Sequence, residues 1–139
     1  MRAVRSALLS SPEPRELTAE EYLQAKLNYE AACHVVAAEL RRSPCRIVLL
    51  DVRDAPGYEK SHIRGARNIP EKGLPSKMAA LPRMKTIITY GWDGDCALAP
   101  KAAFALARSG YKAKILAGGL AEWLRRDLPV DKKVEMRRH

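Results

Sequence analysis

Three short apolar runs punctuate the chain: Arg46-Ile47-Val48-Leu49-Leu50-Asp51, Thr86-Ile87-Ile88-Thr89-Tyr90 and Ala113-Lys114-Ile115-Leu116-Ala117. None alternates apolar with polar. Unbroken β-branched runs of this length predict strands covered on both faces. Around them the spacing becomes helical. Thr18-Ala19-Glu20-Glu21 fits a capping box and predicts a helix to about Lys26, with a short strand expected over 27–29. Ala32, Val36 and Leu40, spaced four apart, predict a second helix that ends at Arg41 and Arg42 before Pro44. A third is expected over 99–108, with Pro100 in its first turn and Gly110 as a left-handed cap. A last helix over 120–126 carries Trp123 and stops before Pro129. Buried strands alternating with helices predict an α/β domain, a mainly parallel twisted sheet with helices on both faces. Such sheets work at the carboxyl ends of their strands, here the loops after Asp51 and Tyr90.

Composition narrows the function classes. The chain has 139 residues, 47% hydrophobic and 29% charged, which suits one globular domain. The expected organisation is a flexible extension over 1–17, a domain over 18–130 and a basic tail over 131–139. No apolar run approaches the roughly 18 residues of a membrane span, so no membrane partner is expected. The opening MRAVRSALLSSPEP has an Ala-Leu-Leu core too short for a secretory signal. Lys+Arg of 25 against Asp+Glu of 16 leaves a charge of +9, which attracts anions. The excess gathers at Arg41, Arg42 and Arg46 and in the tail, without interleaved aromatics. It reads as a solvated surface, and a nucleic-acid partner is disfavoured.

The cysteines, Cys33, Cys45 and Cys96, are odd in number and form no CxxC pair. That argues against a disulfide framework or a zinc module, and the expected location is the reducing cytoplasm. Cys33 and Cys45 read as packing residues, on a helix and at a strand edge. Asp93, Asp95, Cys96 and His62 have no ligand spacing, so neither a metal nor a cofactor is expected.

The stretch Asp51-Val52-Arg53 … Tyr58-Glu59-Lys60-Ser61-His62-Ile63-Arg64-Gly65-Ala66-Arg67-Asn68-Ile69-Pro70 resembles the rhodanese pattern D-V-R … Y/F-E-x-G-H-I-x-G-A-x-N-I-P, departing from it at Ser61. Leu116-Ala117-Gly118-Gly119-Leu120-Ala121-Glu122-Trp123 is similar to that family's closing L-x-G-G-x-x-x-W. The likeness covers about 27–130 and implies a rhodanese-like fold. In this motif Asp51, Arg53, His62 and Gly65 read as scaffold: a carboxylate for backbone N–H groups or Arg53, a hydrogen-bonded loop histidine, and a glycine at an unusual backbone angle.

The resemblance also implies where chemistry belongs. In rhodaneses a cysteine after the central strand carries sulfane sulfur as a persulfide, in a cradle of backbone N–H groups at a helix N-terminus. Here the loop reads Gly91-Trp92-Asp93-Gly94-Asp95-Cys96-Ala97. It is most similar to a longer-looped branch, Y-C-W-G-P-G-C-N-G-A-T-K-A-A. In that register Gly91 replaces the first cysteine and Cys96 matches the second. A phosphatase would need an arginine six residues after its cysteine, and Ala102 stands there. Asp93 and Asp95 put like charge beside a thiolate that the following helix favours.

Two readings stay open. One is a binding or regulatory module with little or no classical thiosulfate sulfurtransferase activity, holding a protein partner or small ligand at the loop mouth, where Trp92 braces the loop. The other is an enzyme, a sulfurtransferase whose persulfide forms on Cys96 and which takes a sulfane-sulfur donor and acceptor.

Overall fold

The computed structural model describes residues 15–133. Residues 1–14 of the expected extension and 134–139 of the expected tail lie outside the described residues. The first apolar run becomes β2 (Ile47–Asp51), the second β5 (Thr86–Tyr90) and the third β6 (Lys112–Leu116). With β1 (Glu30–Ala31) and β4 (Arg67–Asn68) they form a five-stranded sheet in the order β1-β6-β5-β2-β4, parallel at every pairing.

Side chains from one strand alternate between two cores, which is why the run needs no polar face. Leu49 and Ile88 pack with Cys33 and Val36 of α2 (Cys33–Arg42) and with Leu120 and Trp123 of α6 (Gly119–Arg125). Val48, Leu50 and Ile87 pack on the other face with Ala102 and Leu106 of α5 (Leu98–Arg108) and with Leu74 of α4 (Leu74–Lys77). After β2 the chain makes α3 (Ala55–Lys60) and β3 (Ser61–Ile63), and β3 pairs antiparallel with β7 (Val130–Lys132). This pairing carries ordered structure past residue 130, into the start of the stretch read as a tail.

Three sequence expectations shift. Helix α1 (Ala19–Tyr29) opens with the capping box: the Glu21 N–H donates to Thr18 Oγ1 at 3.1 Å and the Thr18 N–H to Glu21 Oε2 at 3.0 Å. It then runs through the stretch expected as a strand. The Glu30 N–H still bonds the Lys26 carbonyl, so helical bonding outlasts the apolar run, and the edge strand begins where Glu30 meets Ile115. Cys45 is exposed, not packed: a 3-10 turn over Pro44–Arg46, closed by the Arg46 N–H on the Ser43 carbonyl at 3.1 Å, turns it outward. Cys33 is buried, and loss of solvent pushes its thiol up to about 11, leaving it un-ionised at neutral pH. Trp92 is 50% exposed, so its indole is not the brace the sequence suggests.

Candidate active-site loop

Strands β2 and β5 end side by side, Asp51 opposite Tyr90, and each hands the chain to a loop on the same edge of the sheet. The loop after β2 is held by a buried carboxylate. Asp51 is fully buried and accepts the Arg53 backbone N–H at 3.0 Å. Its two oxygens also receive Arg53 Nε at 3.1 and 3.2 Å and Nη2 at 2.7 Å. Nη2 of Arg53 reaches on to the Ser61 carbonyl at 2.5 Å, and Asn68 Nδ2 donates to the carbonyls of Asp51 and Arg53.

The Tyr90 hydroxyl, driven well above its ordinary titration by burial and then by the Asp51 charge, stays neutral and accepts the Ile63 N–H at 3.1 Å. His62 stacks on Tyr58 with ring centroids 3.7 Å apart, and its Nδ1 lies 2.8 Å from the Tyr58 carbonyl. Gly65 turns the chain at φ +84°. The hydrogen-bond partners of these residues fix the loop geometry.

Residues 91–97 join β5 to α5. Their first two carbonyls accept from α6: Gly91 from the Leu120 N–H at 3.0 Å and Trp92 from the Ala121 N–H at 2.7 Å. So close an approach needs glycine at 119, where φ is +60°. A β-carbon there would lie 2.8 Å from the Gly91 oxygen, 2.9 Å from the Asp93 nitrogen and 3.0 Å from the Trp92 carbonyl carbon. The loop then doubles back. The Asp93 carboxylate accepts the Asp95 N–H at 3.0 Å, and the Asp93 carbonyl accepts the Cys96 N–H at 3.3 Å. Gly94 approaches Gly118 across the fold, and Ala97 precedes the first turn of α5 without a side-chain cap.

This turn brings the two ends of the loop together. A β-carbon built on Gly91 would lie 2.8 Å from Cys96 Sγ and 3.3 Å from Cys96 Cβ. The thiol therefore fills the room in which a side chain at 91 would begin. Cys96 is half-buried and faces a cleft of about 180 Å³, lined also by Asp93, Gly94, Gly118, Lys26 and Glu30. The Lys26 ammonium lies 2.6 Å from the Glu30 carboxylate, which pushes the lysine further into its charged form. Sequence reasoning missed both residues. They enter from α1 and the edge strand, and no local spacing signals that β1 pairing brings them beside the loop.

The fold and the site together define a parallel α/β domain with a glycine-rich, thiol-bearing loop at the carboxyl end of its central strand, the edge at which such sheets bind ligands. The rhodanese-like domain family matches residues 34–126, and the chain belongs to that family. It is 34% identical to a full-length Lactobacillus plantarum protein of known structure, at a TM-score of 0.76 over 81% of this chain and 95% of that one. It is 31% identical to a Pseudomonas aeruginosa thiosulfate sulfurtransferase, at a TM-score of 0.67 over 76% of this chain and 20% of that one. It is also 36% identical over 99 residues to an HTH-type transcriptional regulator of Mycobacterium tuberculosis. That match covers 70% of this chain and 44% of the regulator, so the chain spans under half the length of this curated relative. Among the described residues no helix is long and apolar enough to cross a membrane.

Proposed function

We propose that the chain is a rhodanese-like sulfur carrier whose persulfide forms on Cys96, with little classical thiosulfate:cyanide turnover. The observation that carries this reading is the thiol's position: Cys96 Sγ sits 2.8 Å from the place of a residue-91 β-carbon. A thiol brought to that room from the far end of the loop stands in for the side chain the glycine lacks. In the loading step the Cys96 thiolate attacks the outer sulfur of thiosulfate. The S–S bond breaks, sulfite leaves with its electron pair, and the cysteine keeps the sulfur as a persulfide. A thiophilic acceptor then takes that sulfur and returns the thiolate.

Lys26 lines the same cleft, but its ammonium is paired with Glu30 at 2.6 Å, so the cleft offers an anionic donor little free positive charge. Asp93 spends one carboxylate oxygen on the Asp95 N–H, yet its charge and that of Asp95 oppose an incoming dianion, which keeps turnover low.

Intact mass after incubation with thiosulfate is expected to show one added sulfur, lost in Cys96→Ser and kept in Cys33→Ser and Cys45→Ser. No gain, or a gain that survives Cys96→Ser, would remove the carrier reading. A second arm uses the missing side chain. Gly91→Cys alone drives its β-carbon into Cys96, so its benefit is expected only with Cys96→Ala beside it. That pair should turn over thiosulfate faster than the parent.

A second reading is a binding or regulatory module without sulfur chemistry, holding a protein partner or small ligand at the loop mouth. Gly91 favours it, as does the transcriptional-regulator name of the Mycobacterium tuberculosis relative. It expects no persulfide on any cysteine.

A further inference from the structure

A second concavity, larger than the cleft beside Cys96, lies between α5 and β6. It encloses about 610 Å³ over a floor that includes Ala103, Tyr111 and Ile115, with Phe104 and Tyr29 also lining it. Phe104 is 63% exposed and Tyr29 58%. Lys112 and Lys114 line the same groove. Nothing in the loop chemistry uses it.

Helix α1 is the second observation. None of its eleven residues is buried. Leu17, just before it, and Tyr22, Leu23 and Leu27 along it are all more than half exposed, Leu27 at 78%. A free helix shorter than about 12–15 residues is marginal in water, and helices in proteins hold their shape mainly by packing an apolar face. Exposed apolar surface on this scale marks an interaction site. Tyr29 belongs to both features, so the uncovered helix ends at the groove.

Charge says what fits. Glu16, three residues before α1, and Glu20, in its first turn, are exposed, and neither is in an ion pair among the described residues. Lys112 and Lys114 likewise have no carboxylate partner among the described residues. The chain thus carries both a helix with exposed apolar side chains and an acidic first turn, and an apolar groove with basic residues in its lining.

We propose that α1 of one molecule seats in the groove of a second copy and receives that copy's α1 in return, forming a two-fold dimer. Reciprocal exchange of one contiguous patch is what a closed two-fold interface requires. Leu17, Tyr22, Leu23, Leu27, Tyr29 and Phe104 are each more than half exposed, and an ordinary stable interface covers roughly 800 Å² on each partner. The pairing sets Glu16 and Glu20 of one copy against Lys112 and Lys114 of the other. It also anchors α1, whose Lys26 lines the cleft beside Cys96.

Sedimentation of the full chain into the high micromolar range tests this directly. The expected mass is twice that of one chain. Phe104→Glu and Leu27→Glu change exposed side chains, so thermal melting should show them folded, and each should weaken association roughly thirtyfold or more, as loss of a central apolar anchor does. Glu16→Lys with Glu20→Lys should weaken it as well. Adding Lys112→Glu and Lys114→Glu to that variant should restore it. A chain that stays monomeric at the highest concentration overturns the proposal. So does a dimer indifferent to Phe104→Glu and Leu27→Glu, or one that the charge-reversed partners fail to restore.

Discussion

Asp51→Ala is expected to cost about 3–5 kcal/mol of folding stability, the range for breaking a buried ion pair from one side. The carboxylate is wholly buried, and the Arg53 side chain that faces it is only 13% exposed. Removing the acid strands a guanidinium that has been drawn out of water, and it orphans the Arg53 backbone N–H bonded to Oδ1. The damage should spread along the turn, because the same guanidinium ties down the Ser61 carbonyl. Asp51→Asn keeps the volume and one acceptor oxygen, so its loss should be smaller, about 1–3 kcal/mol. Urea unfolding checks both: the midpoint should fall while the slope stays constant, since the surface exposed on unfolding is unchanged. A loss under about 1 kcal/mol for Asp51→Ala would mean that Arg53 swings out to water and the pair contributes little.

Gly119→Ala is expected to cost about 2–4 kcal/mol and to disable the loop as well. Part of the cost is conformational, because φ is +60° there and an L side chain resists that region. The larger part is steric. The new methyl would meet Gly91, Trp92 and Asp93 at 2.8–3.0 Å, all through main-chain atoms that no rotamer change can move aside. The loop must lift from α6, surrendering the bonds from Leu120 and Ala121. Cys96 would then leave the room beside Gly91. Denaturant melts give the stability loss, and on the proposed carrier reading intact mass after thiosulfate treatment should show less added sulfur than the parent. Gly73→Ala is the control: φ is −90° there and nothing lies within 4 Å of the added methyl, so a change within about 0.5 kcal/mol is expected. If Gly119→Ala were equally silent, the loop would be held by something other than its approach to α6.

The central strands were legible because a strand buried on both faces has no polar alternation to hide its apolar run. The edge was not. β1 is two residues long, and its place is decided by pairing with Ile115 and Leu116 rather than by its own composition. Cys45 departs from the sequence expectation for a related reason: it stands two residues before β2 but inside a turn whose closing bond faces it to solvent. Trp92 looked like a brace because large aromatics usually pack. Here the backbone carbonyls of Gly91 and Trp92 hold the loop, and the indole stays half exposed.

By itself the sequence determined the family and the parallel architecture, and through the family resemblance it pointed to the loop after Tyr90. These follow from local patterns, apolar runs and a motif read in order, that survive without coordinates. It also showed glycine at 91 and a cysteine at 96. Only the tertiary structure decided how near the two lie, since the distance between them depends on the Asp93 turn and on the loop lying against Gly119. The same is true of Lys26 beside Cys96 and of the bare helix beside the α5–β6 groove. Those juxtapositions join residues scores of positions apart. Packing and strand pairing set them, and neither leaves a periodic trace along the chain.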